Sequence, residues 1–402
     1  MKFLNQIDKI VLDNIDKINL WINEKKLENN LPFYTSVDLR VSKNKIAAVD
    51  TNIFPAGFNN LSEKFLARAA EVTIEYKRLK HKLKVKKVLI VPELHTRNRH
   101  YWENVLCILK ILELAKIETR VGLVLEGQSE SEFEFEAISG KKLIAERITR
   151  QDDRIKLTDF DPDLVLINND FSDSSPAILS DLEQIVVPPT EVGCHSRKKN
   201  IHFEFYNKLV EEFANLIGMD PSHFLLETRL VQNIDFENKE DRAKLASEIE
   251  QMLSSLSPEH VDNQPFSFIK SNTGTYGMSV IKITNAADVV NLNRDGRKKM
   301  KVSKGGRQIK DIIIQEGVET IYSNKEPVYY LIDCELIGGF YRTNNLRGST
   351  ENLNTKGMDF ECLCGDPSHS QCENFIHPSL EIIAKIGSLA TGYEISYLMK
   401  NN

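Results

Sequence analysis

The chain has no apolar run long enough to cross a bilayer, which excludes a helical membrane protein. Its first residues, MKFLNQIDKIVLDN, alternate charge with apolar side chains and lack the unbroken apolar segment of a secretory signal. Cysteine is scarce, six in 402 residues, too few for a disulfide scaffold in a chain of this size. These absences read as a protein of the reducing cytoplasm. Positive charge is short as well. Lysine plus arginine is 52 and aspartate plus glutamate is 58, a net charge of −6, which argues against a dedicated binder of nucleic acid or anionic membranes. Internal repeats and low-complexity tracts are missing. So are two nucleotide fingerprints: no G-x-G-x-x-G follows the apolar stretch VKKVLIVPE at 85–93, and no G-K-[ST] marks a P-loop.

What is present is an ordinary globular composition, 41% apolar and 27% charged, in a chain long enough for two or three packed domains. Apolar residues at helical spacing (Leu4, Ile7, Ile10, Val11, Ile15, Ile18) predict one amphipathic helix over 4–29. Strand-like stretches at 34–41 and 46–52 flank the polar turn SKNK, and a helix is expected over 62–82. The run at 85–93 looks like a strand buried on both faces. The polar loop LHTRNRH, a helix over 102–115 and a strand over 119–125 complete a βαβ-like unit, and strands at 164–168 and 185–190 extend it into an α/β domain. Helices are expected over 203–217, 240–256 and 378–390, with a polar linker at 257–264.

Residues 266–270 form a short strand ending in Lys270, and the loop SNTGTYGMS follows, with Gly274 and Gly277, before strand resumes. Such a loop can fold over phosphates with its N–H groups while the lysine adds a point charge. Taken alone, the pattern fits a plain glycine-rich hairpin as well. The neighbours give it meaning: QEGV begins 45 residues beyond Lys270, and a further strand leads through Gly338 and Gly339 to Arg342 and the loop RGSTENLNTKG.

This order resembles the ATP-grasp superfamily, and its glutathione synthetase branch most closely. The resemblance implies an α/β fold with a Rossmann-like pre-ATP-grasp domain, and ATP with magnesium (or manganese) as cofactors. Lys270 would hold the β-phosphate, while Gly274, Thr275, Tyr276, Gly277 and Met278 close over the triphosphate. Gln315, Glu316 and Val318 would bind the adenine through backbone groups, and Arg342 would stabilise charge on the transferred phosphoryl group. A second ATP lysine is expected in PPTEVGCHSRKKNIHF, at Lys199, with Lys198 left open.

Such enzymes end in a strand whose acid and E-x-N oxygens bind magnesium, and the C-terminal region has no such motif. The N-terminal stretch VDLRVSKNKIAAVDTNIFPAG does have an equivalent: Asp38 as the first acid, with Asp50 and Asn52 on one face of a period-2 strand. The expected arrangement is therefore a circular permutation. Residues 1–60 would complete the ATP-grasp domain of 201–402, with a Rossmann-like substrate domain at 61–200 between them.

VDLR, AAVDTNIFPAGFNNL, VPELHTRN, GCHSRKKNIHF, FIKSNTGTYGMSV and ENLNTKGMDF together resemble the bacterial glutamate–cysteine ligases of the glutathione-synthetase-like type. The resemblance implies ATP-dependent ligation of the L-glutamate γ-carboxyl to the amine of L-cysteine through a γ-glutamyl phosphate, the first step of glutathione biosynthesis. His95, Arg97 and Asn98 are candidate substrate contacts in a loop that could equally just cap the next helix, and Asn352 and Asn354 sit in an expected second lid. The partners are small molecules, with a homo-oligomer left open. The alternatives are a glutathione synthetase, another carboxylate–amine ligase of the same fold, or a nucleotide-binding regulator without turnover. Cys362, Cys364, His369 and Cys372 could hold zinc, but C-x-C without a second pair reads better as a surface loop with incidental thiols.

Overall fold

A computed structural model of the protein describes residues 1–80, 84–95, 97–125, 131–172, 174–256, 264–273, 279–301, 309–363 and 376–401. Three larger sheets and a two-stranded ribbon combine with helices in a mixed α/β arrangement. The first sheet is antiparallel, in the order Met358–Cys362, Glu335–Asn344, Lys325–Ile332, Tyr34–Val41, Ile46–Asn52. Its strands come from both halves of the chain: Asp38 pairs with Val328 on one side and with Asp50 on the other.

Period-2 alternation sorts the Tyr34–Val41 strand. Val37, Leu39 and Val41 go to one face, Ser36, Asp38 and Arg40 to the other. The helix Pro378–Asn401 covers the apolar face, where a Cβ on Gly387 would stand 3.2 Å from Val37 and Thr51. This helix runs past the expected end at 390, through Gly392. A glycine costs a helix about 1 kcal/mol, less than the packing of so deeply buried an element supplies. At the N-terminus, the single helix expected over 4–29 is two, Lys2–Asp13 and Ile15–Leu27. The break falls at Asn14, whose side-chain amide donates to the Ile10 carbonyl at 2.9 Å.

The second sheet has the order Ile185–Val187, Leu164–Asn168, Lys87–Pro92, Glu118–Leu123, Lys142–Arg147, Glu132–Glu136, parallel except for the last strand. The strand Glu132–Glu136 carries charge on alternate positions, its partner Lys142–Arg147 carries it at both ends, and nothing in the sequence reading anticipated them. Strand order reverses around Lys87–Pro92, so the loops leaving that strand and Leu164–Asn168 open a crevice at their carboxyl ends, where such sheets bind ligands. The third sheet, Thr228–Val231, Ile312–Glu316, Ser267–Ser271, Val280–Ile283, is antiparallel and has its own core with the helix Lys239–Ser255, built from Leu245, Ile249, Met252, Ile269 and Ile314.

A buried polar network fixes the first two sheets to each other. Asn168 donates to the Tyr34 hydroxyl and to the Pro55 carbonyl, both at 3.0 Å. Tyr34 itself donates to the Ile167 carbonyl at 2.6 Å. Asn104 Oδ1 accepts from the Gly57 and Phe58 amides at 2.9 and 3.0 Å. The loop that follows Asn52 is thereby held against the crevice. No helix among the described residues is long and apolar enough to cross a membrane.

Gly338 sits at φ +149°, and a Cβ there would lie 2.2 Å from the ring of the buried Phe65. Gly338→Ala is expected to destabilise the protein by about 1–3 kcal/mol, as overpacked cores do, read as a lower urea midpoint.

Candidate active site

One face of the first sheet concentrates charge inside the protein. The buried Arg342 donates to both carboxylate oxygens of Asp38, at 2.5 and 3.2 Å, and to Glu326 at 2.7 Å. Glu326 also takes Arg40 at 2.6 Å, and Arg40 reaches the carbonyls of Ser349 and Glu351 at 3.0 and 2.8 Å. Burying unpaired charge is costly, so these groups stabilise one another only as a set. Burial and the nearby Glu326 push the Asp38 carboxyl up, against the pull of Arg342. Glu326 resists burial because Arg40 and Arg342 flank it, and it is held below the ordinary glutamate range. Arg342 keeps its charge, and its Nε is buried with no hydrogen-bond partner among the described residues.

Beside this set stand two lysines. Lys199 opens the helix Lys199–Ile217, and its Nζ contacts Asp50 at 2.8 Å. Lys270 donates to the side chain of Gln315 and to the Val49 carbonyl, the latter at 3.3 Å. Asn272 links the two elements: its carbonyl accepts from the Lys199 amide at 2.8 Å, and its Oδ1 from the Asn200 amide at 3.0 Å. The helix thus starts against the end of the lysine-bearing strand, and its positive dipole end adds to the cationic field. Burial pulls Lys270 down to about 8, with Lys199 and Arg40 adding to the effect and Asp50 opposing it. Against the cost of burial, Lys199 and Lys270 hold the Asp50 carboxylate well below its usual range.

The residues expected around a nucleotide are partly brought together. Lys199, Lys270, Asp38, Asp50 and Arg342 share one charged region, and Lys198 is exposed to its side. Asp50 and Asn52 lie on the face that Asp38 occupies, opposite Asp38 and Ser36 in register. These hard oxygen donors suit magnesium, although no group of three or more His, Cys, Asp or Glu side chains converges as a cage among the described residues. Gln315 and Glu316 stand in a central strand paired on both sides. The amides of Glu316 and Gly317 are taken by the carbonyls of Glu227 and Phe266, both at 2.9 Å. What Gln315 and Glu316 bring is side chains: Gln315 to Lys270, Glu316 to the buried Lys45. Val318 lies two residues beyond the strand's last residue, Glu316. The expected lid residues Gly274, Thr275, Tyr276, Gly277 and Met278 lie outside the described residues, as do Cys364, His369 and Cys372; Cys362 is half-buried.

A cleft of about 850 Å³ lies between the charged sheet face, the loop after Asn52 and the crevice of the second sheet. His95, Asn98 and Asn354 line it, together with Asp170, Arg197, Tyr330 and Arg342. His95 contacts Glu93 at 3.1 Å. Asn98 caps the helix Arg99–Leu114 by accepting from the Tyr101 amide at 3.1 Å, so it has the structural role that the sequence left open. Arg97 is exposed and is not part of the cleft wall, and Asn352 supports Asn354 by accepting from its amide at 3.0 Å. The sequence reading missed Arg40, Lys45, Glu326, Arg197 and Glu394. The available signal was a charged residue inside an otherwise apolar strand or helix, as in EPVYYLI and GYEISYL.

A charged, partly buried groove next to an α/β crevice is what a ligase of small anionic substrates requires, and the comparisons bear this class out. A crystal structure from Methylobacillus flagellatus KT, provisionally assigned as a gamma-glutamylcysteine synthetase, aligns with a TM-score of 0.87 and 33% identity over 98% of this chain and 96% of its own. Residues 8–395 match the model of the GshA glutamate-cysteine ligase family, and the chain belongs to that family. A D-alanyl-alanine synthetase A from Vibrio cholerae O1 biovar eltor str. N16961 aligns with a TM-score of 0.33 and 9% identity over 64% of this chain and 67% of its own, too little to bear on the fold. No match is found among curated proteins.

Glu326 is the hinge of the buried charge set. Glu326→Ala leaves Arg40 and Arg342 underpaired and is expected to cost about 3–5 kcal/mol of stability in urea unfolding. Arg40→Met added to it is expected to recover part of the loss, because one of the stranded cations is gone.

Proposed function

We propose that this ligase is a circularly permuted ATP-grasp enzyme that binds ATP between the charged face of the first sheet and the third sheet. On this reading residues 1–60 and 201–402 form the ATP-grasp domain, and 61–200 the Rossmann-like substrate domain. The single observation that carries the proposal is the approach of Lys270 to the N-terminal hairpin, with its Nζ on the Val49 carbonyl next to Asp50. Residues 221 positions apart thereby build one site, as a permuted metal strand requires.

Lys199 and Lys270 hold the phosphates, with Lys198 the less buried neighbour, and Val318 offers its backbone to the adenine. Asp38, Asp50 and Asn52 would hold magnesium, or manganese, which would supply positive charge against the phosphates. Lys199 and Arg342 pair with these acids and stand beside the groove where phosphate would lie. The γ-phosphoryl passes from ATP to the γ-carboxylate of glutamate, giving ADP and γ-glutamyl phosphate. Arg342, whose Nε is unpaired, stabilises the charge that spreads over the transferred group. The cysteine amine then attacks the acyl carbon, phosphate leaves, and the amine proton passes to solvent or to phosphate. The chain itself supplies no nucleophile. His95 and Asn354, on the cleft wall, contact the amino acids.

ADP release should be seen with glutamate plus cysteine and not with γ-glutamylcysteine plus glycine. Lys270→Ala should lower turnover by about 100-fold or more, and unchanged turnover would refute the assignment. Lys270 is charged below about pH 8 and loses its proton above it, so kcat/KM for ATP should fall as pH rises through that value. Lys270→Arg should move that limb to higher pH.

A further inference from the structure

The cleft wall carries two arginines, and the chemistry above uses one of them. The other, Arg197, is held by three bonds. Its Nε and Nη2 donate to the two carboxylate oxygens of Glu394 at 2.9 and 2.7 Å, and its Nη1 donates to the Thr51 carbonyl at 3.3 Å. Glu394 comes from the long C-terminal helix and is 1% exposed. His202 closes on it from the other side, with Nδ1 3.3 Å from Oε2. The carboxylate stays ionised: burial works against it, but Arg197 and His202 together offset that cost and hold it at about 2.

As a packing device this arrangement is a poor choice. A buried ion pair is often no more stabilising than an apolar pair of the same volume, whereas it does fix a guanidinium in one orientation. A guanidinium has five N–H donors, and three are committed here. The two left over, one on each terminal nitrogen, suit a bidentate carboxylate. Arg342 differs: Asp38 and Glu326 occupy its terminal nitrogens. Arg197 also borders the smaller pocket that contains Asp50, Lys199 and His202, so it stands where the amino-acid cleft meets the phosphoryl-transfer groove.

We propose that Arg197 reads the α-carboxylate of an amino-acid substrate, and that Glu394 is the residue that positions it. This rests on the cleft being the amino-acid site of the ligase. The α-carboxylate could be that of glutamate or of cysteine, and the test separates the two. It also assigns a role to the C-terminal helix, which brings Glu394 to the guanidinium of Arg197.

The test measures KM and kcat by ADP release for the full chain and for Arg197→Gln, Arg197→Lys and Glu394→Gln. Each is assayed with L-glutamate against its α-carboxamide, and with L-cysteine against cysteinamide. Arg197→Gln should raise KM for one amino acid by about 10- to 100-fold, leave KM for ATP unchanged, and abolish the preference for carboxylate over carboxamide in that substrate alone. The substrate affected identifies the source of the carboxylate. Glu394→Gln should raise the same KM less, with the preference kept, because the cation remains but is no longer fixed. Should Arg197→Gln fail to fold, Arg197→Lys, which keeps the charge and loses the fork, should still raise the same KM. Equal losses with carboxylate and carboxamide, or a change confined to KM for ATP or to thermal stability, would overturn the proposal while the ligase reading stands. A wild-type chain that released no ADP with glutamate plus cysteine would overturn both.

Discussion

The array of buried charges on one face of the first sheet is the constraint around which the molecule is arranged. Asp38, Arg40, Glu326 and Arg342 come from three strands, and each would be costly to bury without the others. Their pairing requires the N-terminal hairpin to lie beside Lys325–Ile332, which sets the register of the sheet. That register in turn places Asp50 and Asn52 on the same face and leaves the opposite face apolar for the C-terminal helix. A shift by one residue would turn the charged set into the helix and the valines into the groove.

The same array explains how a chain of net charge −6 serves anionic substrates. Cations are scarce overall, but Lys199, Lys270, Arg342 and Arg197 converge on one groove, each held by an acid or a carbonyl. The acids keep the cations in place. Preorganisation of this kind limits the rearrangement left for the moment of reaction.

Much of the fold was legible because hydrophobic periodicity is local. The strands at 34–41, 46–52 and 164–168 were read at their observed bounds, and the lysine-ending strand and its antiparallel return were placed correctly. The misses have physical causes. The N-terminal helix breaks at Asn14, where a side-chain bond competes with the helix, and the last helix continues past 390 because burial overrides a glycine. The strands at 132–136 and 142–147 escaped because each is short and rich in charge, with few apolar positions to set a period. In the site, Asn98 both caps a helix and lines the cleft while Arg97 is exposed outside its wall, a distinction that spacing in a loop cannot make.

The sequence alone determined the family and the reaction class, because several long motifs spread along the chain resemble those of one ligase family. It also carried the suggestion that the ends of the chain meet, since the acids absent from one end stand at the other. Tertiary structure decided which charges neutralise which. Glu326, 16 residues before Arg342, faces it across a strand pair, and Glu394, 197 residues after Arg197, holds it from another helix. Such pairings depend on burial and on the low dielectric around each group, and neither is a property of the residues that flank them in the chain.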